Sequence, residues 1–456
     1  MLPSVYQIRH FIILYIPLFI TQVAQIGTSV FSSIFSGRAG TADLAGVAVA
    51  VNIWIPVFAG LCGIFYGVTP IIAQLRGAKK TGAIPDYIMQ SLYIALVLSI
   101  ASIAAGIVVL PSFLAFMKLE PLVEHIAIGY LQDLAFGIFP LFTIATLRNV
   151  LDAHGKTHLS MLLLIFSLLL CIALFRLFIF GGFGIPAMGG IGTGYAIAVS
   201  AWITLFLFLF VFLTQEPFRS YRLFRTLRPA AFIYWSEILR LGVPMAIAIF
   251  CETSLFSIVG LFMSEFGTVY LAANQAAISY SSLVYTLPWS ISLTATIVVG
   301  YEVGAHNYER ARQYALLCQL LALASVIFTA TVTLLGLDTV ASWFTRDADT
   351  FRHIRIFITY AVCFSFCDAM GTPVQGILRG YKDVKIITYI AFIAYWIICL
   401  PLGYLLAHVT ALGAYGYWLG YIIGLAIAAV CYNTRLWKYT AQSYKRSDFN
   451  HANKSA

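Results

Sequence analysis

Two carboxylates stand where a carboxylate is costly. Glu252 lies inside an apolar run from about residue 241 to 263, in the stretch IAIFCETSLF, and Asp368 lies in the middle of YAVCFSFCDAMGTPVQGILRGYKD. An ionisable group in hydrocarbon costs about 2.5–3.5 kcal/mol by insertion scales and more by simulation, so such groups face protein or water and mark ion or proton paths. Ser365, Asp368, Thr372 and Gln375 recur at three- or four-residue spacing, which sets them in one stripe along a helix. Asn274, Ser281 and Tyr285 form a second line on about one helical face, and Pro288 is expected to break the backbone hydrogen-bond ladder nearby and free carbonyl oxygens that can ligate a cation. Two carboxylates with hydroxyls, amides and a tyrosine ring suit a hard monovalent cation, and they suit protons as well. The duller alternative is an ion pair that glues helices together. Against it, no Lys or Arg is expected inside the spans of the second half at comparable depth.

These side chains must be held by membrane helices. Of 456 residues, 61% are hydrophobic and 10% charged, against roughly 25% charged in an ordinary soluble protein. Apolar stretches long enough for a hydrocarbon core of about 30 Å recur twelve times, from residues 11–36 through 123–151, 268–300 and 352–378 to 412–435. The first run lacks a basic leader and a cleavage site, so it is expected to be a retained helix. Arg and Lys gather in alternate loops, among them Arg148, Lys156, Arg219, Arg222, Arg225, Arg310, Arg312, Arg379 and Lys382, and in a tail with Lys445 and Arg446. By the positive-inside rule those loops and both termini are cytoplasmic. The net charge of +9 is then topology and no sign of nucleic acid. All eight cysteines fall inside spans, as unpaired packing residues.

The chain is one plan written twice. Shifted by 227 residues, Pro17 meets Pro244, Gly40 meets Gly267, Thr69 meets Thr296 and Leu151 meets Leu378. The expected organisation is all-α and integral to the membrane: a six-helix lobe over 1–214, a cytoplasmic linker over 215–237, a second lobe over 238–437 and a basic tail over 438–456. An even number of spans per half makes the repeat parallel, about an axis along the membrane normal, and a cleft between two lobes implies alternating access around a midplane site. An embedded enzyme would carry a triad or ligand cluster. None appears, nor does a phosphate-binding loop, so no cofactor is expected and the driving force is assigned to an ion gradient.

The chain resembles the multidrug and toxic compound extrusion (MATE) family, in its NorM-type branch. The likeness rests on FCETSLF at 250–256, SSLVYTLPWS at 281–290, VGYEVGA at 299–305, the run from Asp368 through VQGILRGYKD, DLAGVAVAVNIWIP from Asp43 and TPIIAQLRGAKK from Thr69. It implies a cation-coupled exporter of amphiphilic, mostly cationic drugs. It also implies that Glu252, Asp368 and Tyr285 form the cation site, with Na+ placed ahead of H+ as the coupling ion. The first half departs from the pattern. Ser32, in FSSIFSG, stands where many relatives have an acid, while Cys171 and Phe175 align with two asparagines. Arg176 is a charge where relatives are neutral, and is read as reaching for the membrane surface.

The expectation is thus a monomeric antiporter of a bacterial plasma membrane, with lipophilic cations as substrates, lipid as its surroundings, and Ser365, Thr372, Gln375, Asn274 and Ser281 lining the path. A flippase for lipid-linked oligosaccharide or cell-wall precursors is the nearest rival. It would line its cleft with several bases for phosphate, and this chain offers Arg176 and Arg148. A membrane-embedded enzyme and a passive channel are the rivals of another class.

Overall fold

The computed structural model describes residues 3–117, 119–182, 184–223, 228–345 and 347–452, the side chains of 441–452 excepted. Arg225 of the linker and residues 453–456 of the tail lie outside the described residues, as do the side chains of Lys445 and Arg446. The chain is helical nearly throughout. In the first half the helices are α1 (Val5–Ala39), α2 (Thr41–Tyr66), α3 (Val68–Gly77), α4 (Ile84–Met117), α5 (Pro121–Ala135), α6 (Ile138–Ala153), α7 (Thr157–Phe180) and α8 (Ile191–Thr214). In the second they are α9 (Phe232–Met263), α10 (Thr268–Gly304), α11 (Tyr308–Leu335), α12 (Leu337–Ser342), α13 (Ala348–Gly380), α14 (Val384–Phe392), α15 (Leu400–Val409) and α16 (Tyr415–Ala452).

Among the described residues, eleven helical stretches are long and apolar enough to cross a membrane. The pair α5 and α6, bent by 54° at residues 136–137, makes the twelfth if taken as one span. This agrees with the twelve apolar runs, and the reason is elementary: in hydrocarbon every backbone N–H and C=O must bond within its own segment. The faces turned away from the protein are apolar too. Phe206, Phe210 and Leu213 of α8 and Phe328, Val332 and Leu335 of α11 are all exposed, at helical spacing, which suits lipid and not water.

The two halves differ in where their helices break. Residues 41–77 divide into α2 and α3, while the corresponding α10 runs unbroken for 37 residues, with Pro288 inside it. The helix does not end at Pro288. A proline forfeits one backbone donor, and the helix continues because its neighbours hold it: the Ser292 hydroxyl donates to the Thr372 carbonyl at 2.7 Å, and the Thr296 hydroxyl to the Gly376 carbonyl at 3.0 Å. That approach needs Gly376, where a Cβ would run into the Ser292 carbonyl. The eleventh span also departs from regular helix, winding through a π segment, Ile393–Cys399, between α14 and α15.

The chain divides into two compact units. One comprises Met1–Tyr15, Ala73–Lys79 and Val243–Ala456; the other comprises Ile16–Ile72 and Lys80–Gly242. In the second of these, the linker is tied to the start of α4. Arg228 pairs with Asp86, and the Gln90 side chain donates to the Pro229 carbonyl at 2.8 Å while accepting from Trp235 Nε1 at 2.7 Å. Several basic residues expected in loops are helical. Arg148 lies in α6, Arg310 and Arg312 in α11, and Arg379 near the end of α13, buried.

Candidate ion-coupling site

The site is built within the unit that contains α10 and α13. Glu252 extends from α9 beside Met245, Ala248 and Ile249, the face of that helix turned towards α14 and the π segment. α9 is held there in part by the Thr388 hydroxyl, which donates to the Pro244 carbonyl at 2.6 Å. Tyr285 comes from α10, near enough to Glu252 for the two groups to act on each other electrostatically. Asp368 comes from α13, 8% exposed, close enough for its charge to act on both Glu252 and Tyr285. Three helices therefore bring the two acids and the tyrosine into one electrostatic neighbourhood.

A cavity with room for about one water-sized guest opens beside Glu252, walled by Trp289, Gln375, Arg379 and Tyr395 as well. A second, smaller one lies behind Asp368, against Ser365, Pro288, Ser325 and Thr329. Thr372 donates to Asp368 Oδ1 at 2.7 Å. The polar stripe of α13 thus splits its work: Gln375 faces Glu252, while Ser365 and Thr372 attend Asp368. Asn274 and Ser281 belong to neither cavity. Asn274 is buried and accepts from Trp418 Nε1 at 2.9 Å, and Ser281 is buried with its hydroxyl unpartnered among the described residues. Among those residues no group of three or more His, Cys, Asp or Glu could hold a metal ion, so a cation at Glu252 and Asp368 would draw its further ligands from neutral oxygens.

Two copies of the MatE family model match the chain, over residues 17–176 and 244–405. The chain belongs to the MATE family. The two matches begin at Pro17 and Pro244, the pair that the internal repeat superposes. A "Probable multidrug resistance protein NorM" of Bacillus cereus is 43% identical over 441 residues, covering 96% of this chain and 98% of the relative. Its namesake in Bacillus subtilis is 41% identical over 424 residues, 93% and 94% of the two chains. Among solved structures, an outward-facing multidrug resistance MATE family transporter of the MOP superfamily has a TM-score of 0.84 at 20% identity, covering 96% of each chain, and shares the fold. As a member of this family of multi-pass membrane transporters, the chain is not an enzyme.

Three residues of the site escape a reading of the sequence. The alternation of basic segments puts Arg379 in a loop, yet it is buried and walls the Glu252 cavity. Continuing the α13 stripe by four residues beyond Gln375 reaches it. Trp289 follows Tyr285 by one turn, with ring centroids 5.8 Å apart, and is legible in the same way. Tyr395 is not, because the π segment that turns it inwards has no signature in composition.

At Ser32, Cys171 and Phe175, the positions that the resemblance singles out, the described residues show no comparable group. Cys171 and Phe175 belong to a buried apolar cluster flanked by Phe31 and Phe35. Ser32 is buried, and its hydroxyl has no partner among the described residues. Asp43 accepts from the Gly190 amide at 2.5 Å and so secures the turn before α8. Gly189 has a φ of +59° there, and a Cβ on it would meet the Asp43 carboxylate. Arg148 is paired with Asp152 at 3.5 Å and donates to Gln22 at 2.8 Å, which leaves it poorly suited to lipid phosphate. Arg176 is exposed and lies over the Phe180 ring at 5.5 Å. An acid that no motif singles out, Asp133, sits one turn before the break between α5 and α6, with one carboxylate oxygen buried and unpartnered among the described residues.

Proposed function

We propose that this chain exports lipophilic, mostly cationic drugs in exchange for Na+, which we place ahead of H+, by alternating access between lobes at 1–214 and 238–437. The convergence of Glu252, Asp368 and Tyr285 carries the reading. An acid pair served by neutral oxygens and rings accepts either an inorganic cation or the positive end of a drug. Exchange follows if the two compete for the same carboxylates, because a ligand drives alternation only through its unequal affinity for the two states. The near full-length likeness to proteins named as probable multidrug resistance transporters supports export of small molecules. It also supports a bacterial plasma membrane, and the alternation of basic loops supports cytoplasmic termini. The transporter works as a monomer in this reading, its site lying within one chain.

Purified protein in liposomes, with Na+ and pH gradients imposed independently, tests the proposal. Dye efflux should follow an inward Na+ gradient at matched pH. Efflux that follows only the pH gradient would assign the coupling to protons, and efflux indifferent to both would sink antiport.

A further inference from the structure

Arg379 is a buried charge for which ion exchange at two carboxylates has no evident need. Its guanidinium lies over the Trp289 ring at 5.0 Å, and Nη2 donates to Ser292 Oγ at 2.5 Å. It walls the same small cavity as Glu252, and its charge acts on that carboxylate from across α9 and α13. The internal repeat sharpens the contrast. Under the 227-residue shift Gln375 and Arg379 correspond to Arg148 and Asp152, and Glu252 corresponds to Gln25. In the first half the pair closes on itself within one turn, with Asp152 also taking the Ser160 hydroxyl. In the second half a base, Arg379, stands at the position of Asp152, and it lines one small cavity with Glu252, which comes from another helix.

Building on the coupling role assigned to Glu252, we propose that Arg379 is a tethered competitor for that carboxylate. Its guanidinium rests on Trp289 and Ser292 while a cation holds Glu252, and swings onto Glu252 to help expel it. The physical need is release. Two acids in a poorly screened interior would hold a cation too firmly for rapid exchange, and transport requires a site that can be left as well as entered. The Trp289 face gives the guanidinium a second resting place at little cost, because a ring attracts a desolvated cation. Arg379 is thus a positioning residue that sets how tightly the transported ion binds.

The test uses the full-length protein in detergent and reads two signals: binding of radioactive Na+, and the tryptophan emission that Trp289→Phe removes. Wild type should show a Na+-dependent change in that emission, lost in Glu252→Gln. Arg379→Gln should bind Na+ about tenfold tighter or more, the effect of withdrawing one like charge at close range, and should exchange it more slowly. Arg379→Lys should keep the weak binding and lose the Trp289 response, since an ammonium does not stack as a guanidinium does. Arg379→Gln binding Na+ no tighter than wild type would overturn the proposal. So would a Trp289 emission unmoved by saturating Na+ in a wild type that does bind the ion, and this reading needs no variant of Arg379 to fold. A wild type that binds no Na+ at all would instead remove the coupling role of Glu252, and the inference with it.

Discussion

Thr372 donates its hydroxyl to Asp368 one turn back along α13, at 2.7 Å, and hands its own carbonyl to Ser292 of α10. The acid is therefore positioned by a neutral donor that is itself positioned by a neighbouring helix. No ion pair among the described residues involves Asp368. A carboxylate used as glue would have a base against it. One kept for traffic needs a fixed geometry and a charge left for the passing cation.

That arrangement predicts what amide substitutions do. Glu252→Gln and Asp368→Asn should each abolish gradient-driven efflux while leaving the melting temperature within a few degrees of wild type, or above it. The amide keeps the shape, and in Asp368→Asn its oxygen would still accept from Thr372, but neither amide can cycle a charge. Removing a buried acid that lacks a tight partner also removes its desolvation cost. Efflux and melting temperature measured on the same purified samples decide the matter. Loss of folded protein in step with loss of transport would point to structural roles.

How much of this is legible in the sequence follows from what each feature depends on. The spans and the repeat are visible because apolar length and landmark spacing are written along the chain, and Glu252 and Asp368 stand out because an acid in an apolar run has no cheap explanation. Arg379 is misplaced because a base near the end of a span looks like a loop residue when depth is judged from hydropathy alone. The unbroken path of α10 through Pro288 depends on contacts with α13, 80 residues away in sequence, which no local rule reports. Tyr395 depends on one extra residue in a helical turn, and the bend at 136–137 on a Phe136 carbonyl that Trp202 Nε1 takes up at 3.0 Å. Asp133 is hidden in a run whose average is apolar.

Helix packing beneath the site supplies a stability prediction. A methyl group at Gly376 would collide with the Ser292 carbonyl, a backbone group that cannot swing aside as a side chain could. Gly376→Ala should destabilise the protein by about 1–3 kcal/mol, the usual cost of overpacking, and should lower efflux by disturbing Asp368 and Thr372. Gly106, in α4, has nothing within 4 Å of where its Cβ would sit. Gly106→Ala should be neutral or stabilising by up to about 1 kcal/mol, since alanine is the better helix former. Equal melting temperatures for the two variants would show that α10 and α13 do not pack as described.

Charge should select the cargo. On the proposed function, two acids set among the rings of Tyr285, Trp289 and Tyr395 should attract the positive end of a lipophilic cation once alternation opens the path to them. Cells expressing the protein should tolerate ethidium better than cells without it, and gain no protection against anionic detergents. Protection confined to anions would contradict the assignment of the acids.

The first half allows the most exacting test, because it should contribute no ion. Cys171 and Phe175 stand among aromatic rings, Ser33 is exposed and donates to the Ser29 carbonyl at 3.2 Å, and the Ser36 hydroxyl, one turn on from Ser32, is bonded to that of Thr193 at 3.1 Å. The oxygens near Ser32 are neutral and none is a carboxylate, so the alternative to no site is at most a weak one made by Ser32 with Ser29, Ser33 and Gln25. Ser32→Ala should therefore leave the transport rate and the half-saturating Na+ concentration close to wild type, and removing its unpartnered buried hydroxyl should hold or raise the melting temperature. Asp133→Asn belongs in the same experiment, because Asp133 is a carboxylate that this half carries inside its fourth span. Exchange should fit a single cation site in all three proteins. A raised half-saturating concentration in Ser32→Ala would restore an ion site at Ser32. The same shift confined to Asp133→Asn would place a first-half site at the break between α5 and α6, where no sequence motif points.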